Sequence, residues 1–169
     1  MSVVTALLDR DGVINKENGF IKSKSEFKFL PQVLETLRYL NNLNIRIIII
    51  TNQSAVGRGI ISSKKLKNIH KYMCDIIKKN GGKIEKIYHC SYHPTAGFGN
   101  FKKYSFNRKP NPGMILKAKK KFKLNKNNCF MIGDKKTDKI AARRANIIFF
   151  YKKKLFLKQA KSILKKFKI

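Results

Sequence analysis

The stretch LLDRDGVIN, Leu7 to Asn15, ends an apolar run with two carboxylates, Asp9 and Asp11, one residue apart. The 169-residue chain carries 39 Lys and Arg against nine Asp and Glu, a formal charge of +30. Acidic residues are scarce, and two so close repel, so this placement demands a chemical reason. The run before them, Val3 to Leu8, reads as a strand. Pro31 opens a helix with Val33, Leu34, Leu37 and Leu40 on one face, and Ile45 to Ile50 follows as a strand without a polar residue beyond Arg46, the pattern of a strand covered on both sides.

The same alternation continues. Ser62 or Ser63 caps a helix that carries Leu66, Ile69, Met73, Ile76 and Ile77 to the sheet and stops at Gly81-Gly82, and Ile84 to Cys90 is the next strand. A long loop, Ser91 to Asn107, precedes a helix from Pro112 to about Phe122. Cys129 to Ile132, a helix over Asp138 to Ala145 stopped by a left-handed Asn146, and Ile147 to Tyr151 complete the pattern. Strands alternating with helices predict an α/β fold, a mostly parallel sheet flanked by helices. A chain of this length fits one domain, 1–169, with the motif-bearing core at 3–151 and an amphipathic helix at about 154–168 whose Phe156, Ala160, Ile163, Leu164 and Phe167 dock on it.

Three widely spaced cysteines, Cys74, Cys90 and Cys129, and the lack of a basic, apolar leader before the first strand point to a reducing, cytoplasmic setting. No apolar run approaches the roughly 18 residues of a membrane helix. The lysines are spread through every segment, as A+T-rich codons would produce, and do not gather as a nucleic-acid footprint does. The expected partner is therefore a small anionic substrate, with no specific nucleic acid, no membrane and a monomeric protein.

Four of the nine acids stand just after strands: Asp9 and Asp11 after the first, Asp134 and Asp138 in MIGDKKTD after the fourth. Ligands of open parallel sheets bind beyond the carboxyl ends of the strands, so these distant acids can converge there. Oxygen ligands suit a hard cation such as Mg2+, which removes the repulsion between them. TNQS adds the hydroxyl of Thr51 and the amide of Asn52, and NRKPNPGM adds Arg108 and Lys109. Hydroxyl, ammonium and guanidinium groups are what the equatorial oxygens of a transferring phosphoryl group need. Taken together, they read as phosphoryl chemistry with a carboxylate nucleophile.

DRDG, TNQS, RKPNPGM and GDKKTD, in this order over about residues 3 to 150, resemble the four motifs of the haloacid dehalogenase phosphatases, specifically the small subfamily IIIA branch without a large cap domain. That branch contains heptose-bisphosphate and histidinol phosphatases, and NQSAVGRG with RKPNPGM favours the former. The resemblance implies a Rossmann-like fold and a Mg2+-dependent sugar-phosphate phosphatase in nucleotide-heptose supply for a surface glycan. It implies that Asp9 is the nucleophile, that Asp11 is the acid/base, and that Asp9, the backbone carbonyl of Asp11 and Asp134 hold the metal. Thr51 and Lys109 would stabilise the phosphoryl oxygens. Arg108, Asn52, Gln53, Ser54 and Lys135 would bind substrate with Glu17, Asn18, Gly19 and Phe20 of ENGF, while Asp138 orients Lys109 or the metal shell.

A polynucleotide 3′-phosphatase, a histidinol phosphatase and a binding module on a decayed phosphatase fold are the alternatives. His70 and the run Lys117 to Lys123, with Arg143 and Arg144, read as solvated helix faces. Many heptose phosphatases of this branch clamp the long loop with zinc, but here the four ligand positions are Cys90, Tyr92, Ser105 and Asn107. The expectation is a zinc-free loop held by an aromatic cluster of Tyr92, Phe98, Phe101, Tyr104 and Phe106.

Overall fold

A run of four isoleucines can be buried only if both faces of its strand are covered. In the computed structural model, which describes residues 3–169, β1 (Thr5–Leu8), β2 (Arg46–Asn52), β3 (Lys86–Cys90), β4 (Cys129–Gly133) and β5 (Ile148–Tyr151) form one sheet. Its order is β3-β2-β1-β4-β5, and every pairing is parallel. Side chains alternate between two cores. Ala6, Leu8, Ile47, Ile49, Phe130 and Ile132 face α1 (Val33–Asn42), α3 (Ser63–Lys79) and α6 (Phe156–Lys166). Leu7, Ile48, Ile50, Cys129 and Met131 face α4 (Gly113–Phe122) and α5 (Lys136–Arg144). Each fully buried isoleucine contributes roughly 1.5–3 kcal/mol relative to exposure.

Local signals set the helix ends. Ser62 rather than Ser63 caps α3, its Oγ accepting from Lys65 N at 3.1 Å. Gly81 takes the left-handed conformation after that helix, and Asn146 does so after α5. Pro31 lies in a turn ahead of α1, because Gln32 adopts φ 61° and the helix begins only at Val33. A one-turn helix, α2 (Ser54–Gly57), follows β2 directly. The chain tail closes the fold: α6 buries Phe156, Ala160, Ile163 and Leu164 in the core beside α1, and Phe167 stacks 5.4 Å from Phe130. Its apolar face is thereby covered by the domain. No helix among the described residues is long and apolar enough to cross a membrane.

The loop after β3 departs from the expected aromatic cluster. Only Tyr92 and Phe101 pack together, with centroids 5.7 Å apart, whereas Phe98, Tyr104 and Phe106 are 73%, 88% and 63% exposed. Polar contacts order the segment instead. His93 N donates to Phe101 O at 3.0 Å and Phe98 N to Gly57 O at 2.7 Å. Cys90 Sγ meets Ser105 Oγ at 3.7 Å, and Arg108 Nη1 donates to Tyr92 O at 3.1 Å. Gly97 lies so close to the returning strand of the loop that a Cβ there would sit 2.4 Å from Phe101 O.

Candidate active site

β1 is the centre of the sheet, with its successor β2 on one side and β4 on the other, so the carboxyl ends of β1 and β4 form the switch point where open α/β sheets bind ligands. Asp9 leaves β1 there, its N–H donating to Ile132 O at 3.0 Å. Asp134 leaves β4 beside it. Gly12 makes the approach possible: it has φ +79°, and a Cβ on it would lie 2.1 Å from Asp134 Oδ2. A cavity of about 270 Å³ opens over this end, lined by Asp9, Asp11, Gln53, Arg108, Lys109 and Lys135 among others.

Two carboxylates separated by one residue occupy opposite electrostatic settings. Asp9 is buried at 6% exposure against Lys109 Nζ at 2.9 Å, and that ammonium also meets Asp138 Oδ1 at 2.6 Å and Ile50 O at 2.8 Å. Burial raises the Asp9 pKa to about 7, with Lys109 opposing and Asp138 adding to the rise. For Lys109, burial acts downward, but the charges of Asp9 and Asp138 prevail and raise it. Asp11, by contrast, accepts from Arg10 Nη2 at 2.8 and 3.1 Å, Asn15 Nδ2 at 2.9 Å and Gln53 Nε2 at 2.7 Å. Burial alone would raise its pKa, yet the Arg10 charge and these hydrogen bonds outweigh it and lower it. In the metal-free protein the two carboxylates are thus driven in opposite directions.

The donor set also fits a hard cation. Carboxylate oxygens of Asp9, Asp134 and Asp138 lie within 4.8 Å of one another, and the one ammonium among them leaves a surplus of negative charge. Asp134 Oδ1 is buried without a hydrogen-bond partner, and burial followed by the Asp138 charge raises the Asp134 pKa. Asp138 is the less available of the three: Lys135 N donates to its Oδ2 at 3.0 Å and its Oδ1 holds Lys109.

The remaining candidates divide clearly. Thr51 is fully buried and its Oγ1 accepts from Gln53 Nε2 at 2.9 Å, so Gln53 bridges Thr51 to Asp11. Asn52 clips the backbone of Lys109, with 3.0 and 3.1 Å contacts in both directions. Ser54 lines the cavity at the start of α2, and Glu17 pairs with Lys135 across its mouth. Gly19 and Phe20 complete that wall, with the Arg58 guanidinium 5.3 Å over the Phe20 ring. Asn18 is exposed and lines no part of the cavity described.

His70 is not a solvated helix residue: it is 8% exposed and meets Arg10 Nη1 at 3.2 Å. Arg144 is exposed but braces the turn after Lys109, donating to Pro110 O at 3.2 Å and Asn111 Oδ1 at 3.0 Å. Arg10 and Asn15 are site residues that motif reading passed over, although both stand inside the opening stretch, and an Arg between two Asp is itself a signal.

A parallel sheet of this order, with carboxylates and a buried lysine at its switch point, defines a phosphatase of the haloacid dehalogenase class. The family model described as polynucleotide kinase 3 phosphatase matches residues 6–164, and the chain belongs to that family. It is 33% identical over 147 residues to the D-glycero-beta-D-manno-heptose-1,7-bisphosphate 7-phosphatase of Vibrio cholerae, covering 87% of this chain and 79% of that one. It is 36% identical over 140 residues to the D-glycero-alpha-D-manno-heptose-1,7-bisphosphate 7-phosphatase of Burkholderia mallei, covering 83% and 74%. The crystal structure of D,D-heptose 1,7-bisphosphate phosphatase from B. bronchiseptica, complexed with magnesium and phosphate, superposes with a TM-score of 0.81 at 27% identity, covering 96% of this chain and 87% of that one.

Proposed function

We propose that the chain is a Mg2+-dependent phosphatase that removes the 7-phosphate of D-glycero-D-manno-heptose 1,7-bisphosphate, in nucleotide-heptose supply for a surface glycan. The observation that carries the chemistry is the pair of carboxylates on one cavity wall, Asp9 against Lys109 and Asp11 held ionised by Arg10. Asp9 attacks phosphorus, the bond from phosphorus to the sugar oxygen breaks, and an aspartyl-phosphate forms. Asp11, ionised in the free protein, takes up the proton that a monoanionic phosphate ester brings, passes it to the departing oxygen and then takes one from the water that releases phosphate. Thr51 and Lys109 stabilise the phosphoryl oxygens, and Arg108 and Lys135 supply positive charge at the cavity wall. Asp9, the Asp11 carbonyl and Asp134 would hold Mg2+, which when bound neutralises carboxylates and phosphate alike.

The heptose assignment rests on relatives of both anomeric names that match most of the chain. In this reading the protein works in the cytoplasm as a monomer, needs no zinc, and has no specific nucleic-acid or membrane partner. A second reading, a polynucleotide 3′-phosphatase, is favoured by the exposed Phe98, Tyr104 and Phe106 with Lys102 and Lys103 between them, since bases stack on exposed aromatic rings flanked by cations. Phosphate release from heptose bisphosphates, histidinol phosphate and 3′-phosphorylated oligonucleotides, with Mg2+ and with EDTA, separates the readings. Heptose bisphosphate should be the best substrate and EDTA should abolish turnover. Preference for the oligonucleotide would replace the substrate assignment, and full activity in EDTA would remove the metal.

A further inference from the structure

Arg10 has only 2% of its surface exposed. Its Nη2 forks onto both oxygens of Asp11 at 2.8 and 3.1 Å, and Nε reaches Oδ1 at 3.3 Å. The Phe27 ring lies 5.9 Å beneath the guanidinium. The outer nitrogen, Nη1, lies 3.2 Å from Nε2 of His70. His70 comes from the middle of α3, on the helix face that also buries Leu66, Ile69, Met73 and Ile77, and the His89 ring packs edge-on against it at 5.6 Å.

A buried N–H without an acceptor is costly, so whatever accepts from Nη1 fixes how the planar guanidinium is turned. We propose that His70 is a positioning residue for the reaction: its Nε2 accepts from Arg10 Nη1 and so locks the plane in which Arg10 presents Nη2 and Nε to Asp11. For this the imidazole must be neutral with its proton on Nδ1. Burial first and the Arg10 charge second oppose its protonation. Without His70, the guanidinium turns toward other acceptors and Asp11 loses its single orientation at the cavity wall. The step affected is proton transfer from Asp11 to the leaving oxygen as the P–O bond breaks. Nucleophilic attack by Asp9, held from the other side by Lys109, is not affected. This inference rests on the assignment of Asp11 as acid/base.

The test compares leaving groups. An alkyl phosphate needs a proton on its departing oxygen, whereas p-nitrophenolate leaves without one. Single-turnover release of the leaving group is measured for p-nitrophenyl phosphate and for the best alkyl phosphate of the substrate screen, in the wild type and in Asp11→Asn, His70→Leu, His70→Asn and His70→Gln. His70→Leu should slow the alkyl substrate about tenfold, less than the 10²- to 10⁴-fold of a lost acid/base, with little change for p-nitrophenyl phosphate or for the KM of either. His70→Gln, whose amide oxygen can accept from Nη1, should recover most of the rate. Retained p-nitrophenyl phosphate turnover also certifies a folded site. If His70→Leu loses both activities through misfolding, His70→Asn, too short to reach Nη1, carries the same expectation. Equal loss on both substrates in both variants, or no loss in either, overturns the role of His70. If Asp11→Asn itself shows no leaving-group dependence, the acid/base assignment fails instead. Dependence in Asp11→Asn without any in the His70 variants overturns this inference alone.

Discussion

The floor of the cavity and the loop that follows β3 stand at the same end of the sheet but are ordered by different means. On the floor, Asp9, Lys109 and Asp138 are all at 6% exposure or less, and each charge has a named partner within 3 Å. In the loop, three of five aromatic rings lie in solvent while backbone and hydroxyl groups make the contacts. A buried charge without its partner is strongly destabilising, so a charged floor is specified residue by residue. An exposed ring costs little, so the loop can carry aromatics that its order does not use. Substitutions should therefore be severe on the floor for activity and mild in the outer loop for stability.

The largest effect belongs to Asp9. Asp9→Asn keeps the shape but removes the nucleophile, and phosphate release should fall by about 10⁴-fold or more. Stability should move the other way. The wild-type floor holds three carboxylates to one ammonium, and Asp9 is raised to about 7 by burial, so removing its charge relieves the metal-free protein. Melting without metal should give a Tm for Asp9→Asn no lower than wild type. A variant with near-normal turnover would rule out the aspartyl-phosphate route, and a large drop in Tm would deny the surplus of negative charge.

This contrast also marks what the sequence made legible. The sheet, its two faces and the strand-end acids follow from periodicities and positions that are local, and most of the residues that line the cavity stand in the four motifs or in ENGF. Element ends moved by one or two residues, as with Gln32, whose left-handed backbone no apolar pattern encodes. Arg10 and His70 were obscured for a different reason. Their meeting spans 60 positions of sequence, and each type is ordinarily a surface residue, so only the packing of α3 against the β1 end reveals the contact. The loop departs from the expected cluster because aromatic content does not by itself mean burial: ring exposure depends on whether an apolar surface lies underneath.

A second effect, of intermediate size, separates the two halves of the floor by pH. His70 is pushed down to about 3 from an ordinary 6.5, by burial first and then by the Arg10 charge. Between those pH values the unfolded chain takes a proton that the native one refuses, so this half loses stability as pH falls, by a few kcal/mol at most. Asp11, lowered by Arg10 and its hydrogen bonds against burial, adds loss at the acid end, as pH drops through the ordinary carboxylate range and below. Asp9 acts in the opposite sense. Between about 4 and about 7 the native metal-free protein holds a proton that the unfolded chain has released, so stability from this half rises as pH falls. Urea unfolding from pH 4 to pH 8 without metal should show a shallower acid loss in His70→Gln than in wild type, and a steeper one in Asp9→Asn. Parallel curves for all three proteins would deny that these groups titrate with folding.

The smallest effects lie in the loop. Tyr104→Ser and Phe106→Ser remove rings that are 88% and 63% exposed, and each should change stability by no more than about 0.5 kcal/mol in urea unfolding. Treatment with a zinc-selective chelator should change nothing in melting temperature or Mg2+-dependent turnover. The reason lies in what occupies the four positions at which a zinc clamp would require thiolates or imidazoles. A closed structural site needs four such ligands around one ion, and Cys90, Tyr92, Ser105 and Asn107 offer one thiol. These positions are nonetheless drawn together. Cys90 Sγ meets Ser105 Oγ, Ser105 Oγ accepts from Asn107 N at 3.2 Å, and the Tyr92 carbonyl accepts from Arg108. Asn111 Nδ2 adds a 3.0 Å bond to Ser105 O, tying the loop end to the turn that follows Lys109. Hydrogen bonds thus join three of the four points directly and reach Tyr92 through Arg108, whose N–H donates to Ser105 O at 3.1 Å, with Ser105 as the hub. Ser105→Ala should accordingly lower Tm more than Tyr104→Ser does. Stoichiometric zinc in protein purified without added metal, or a Tm that falls with the chelator, would show that the clamp is metallic after all.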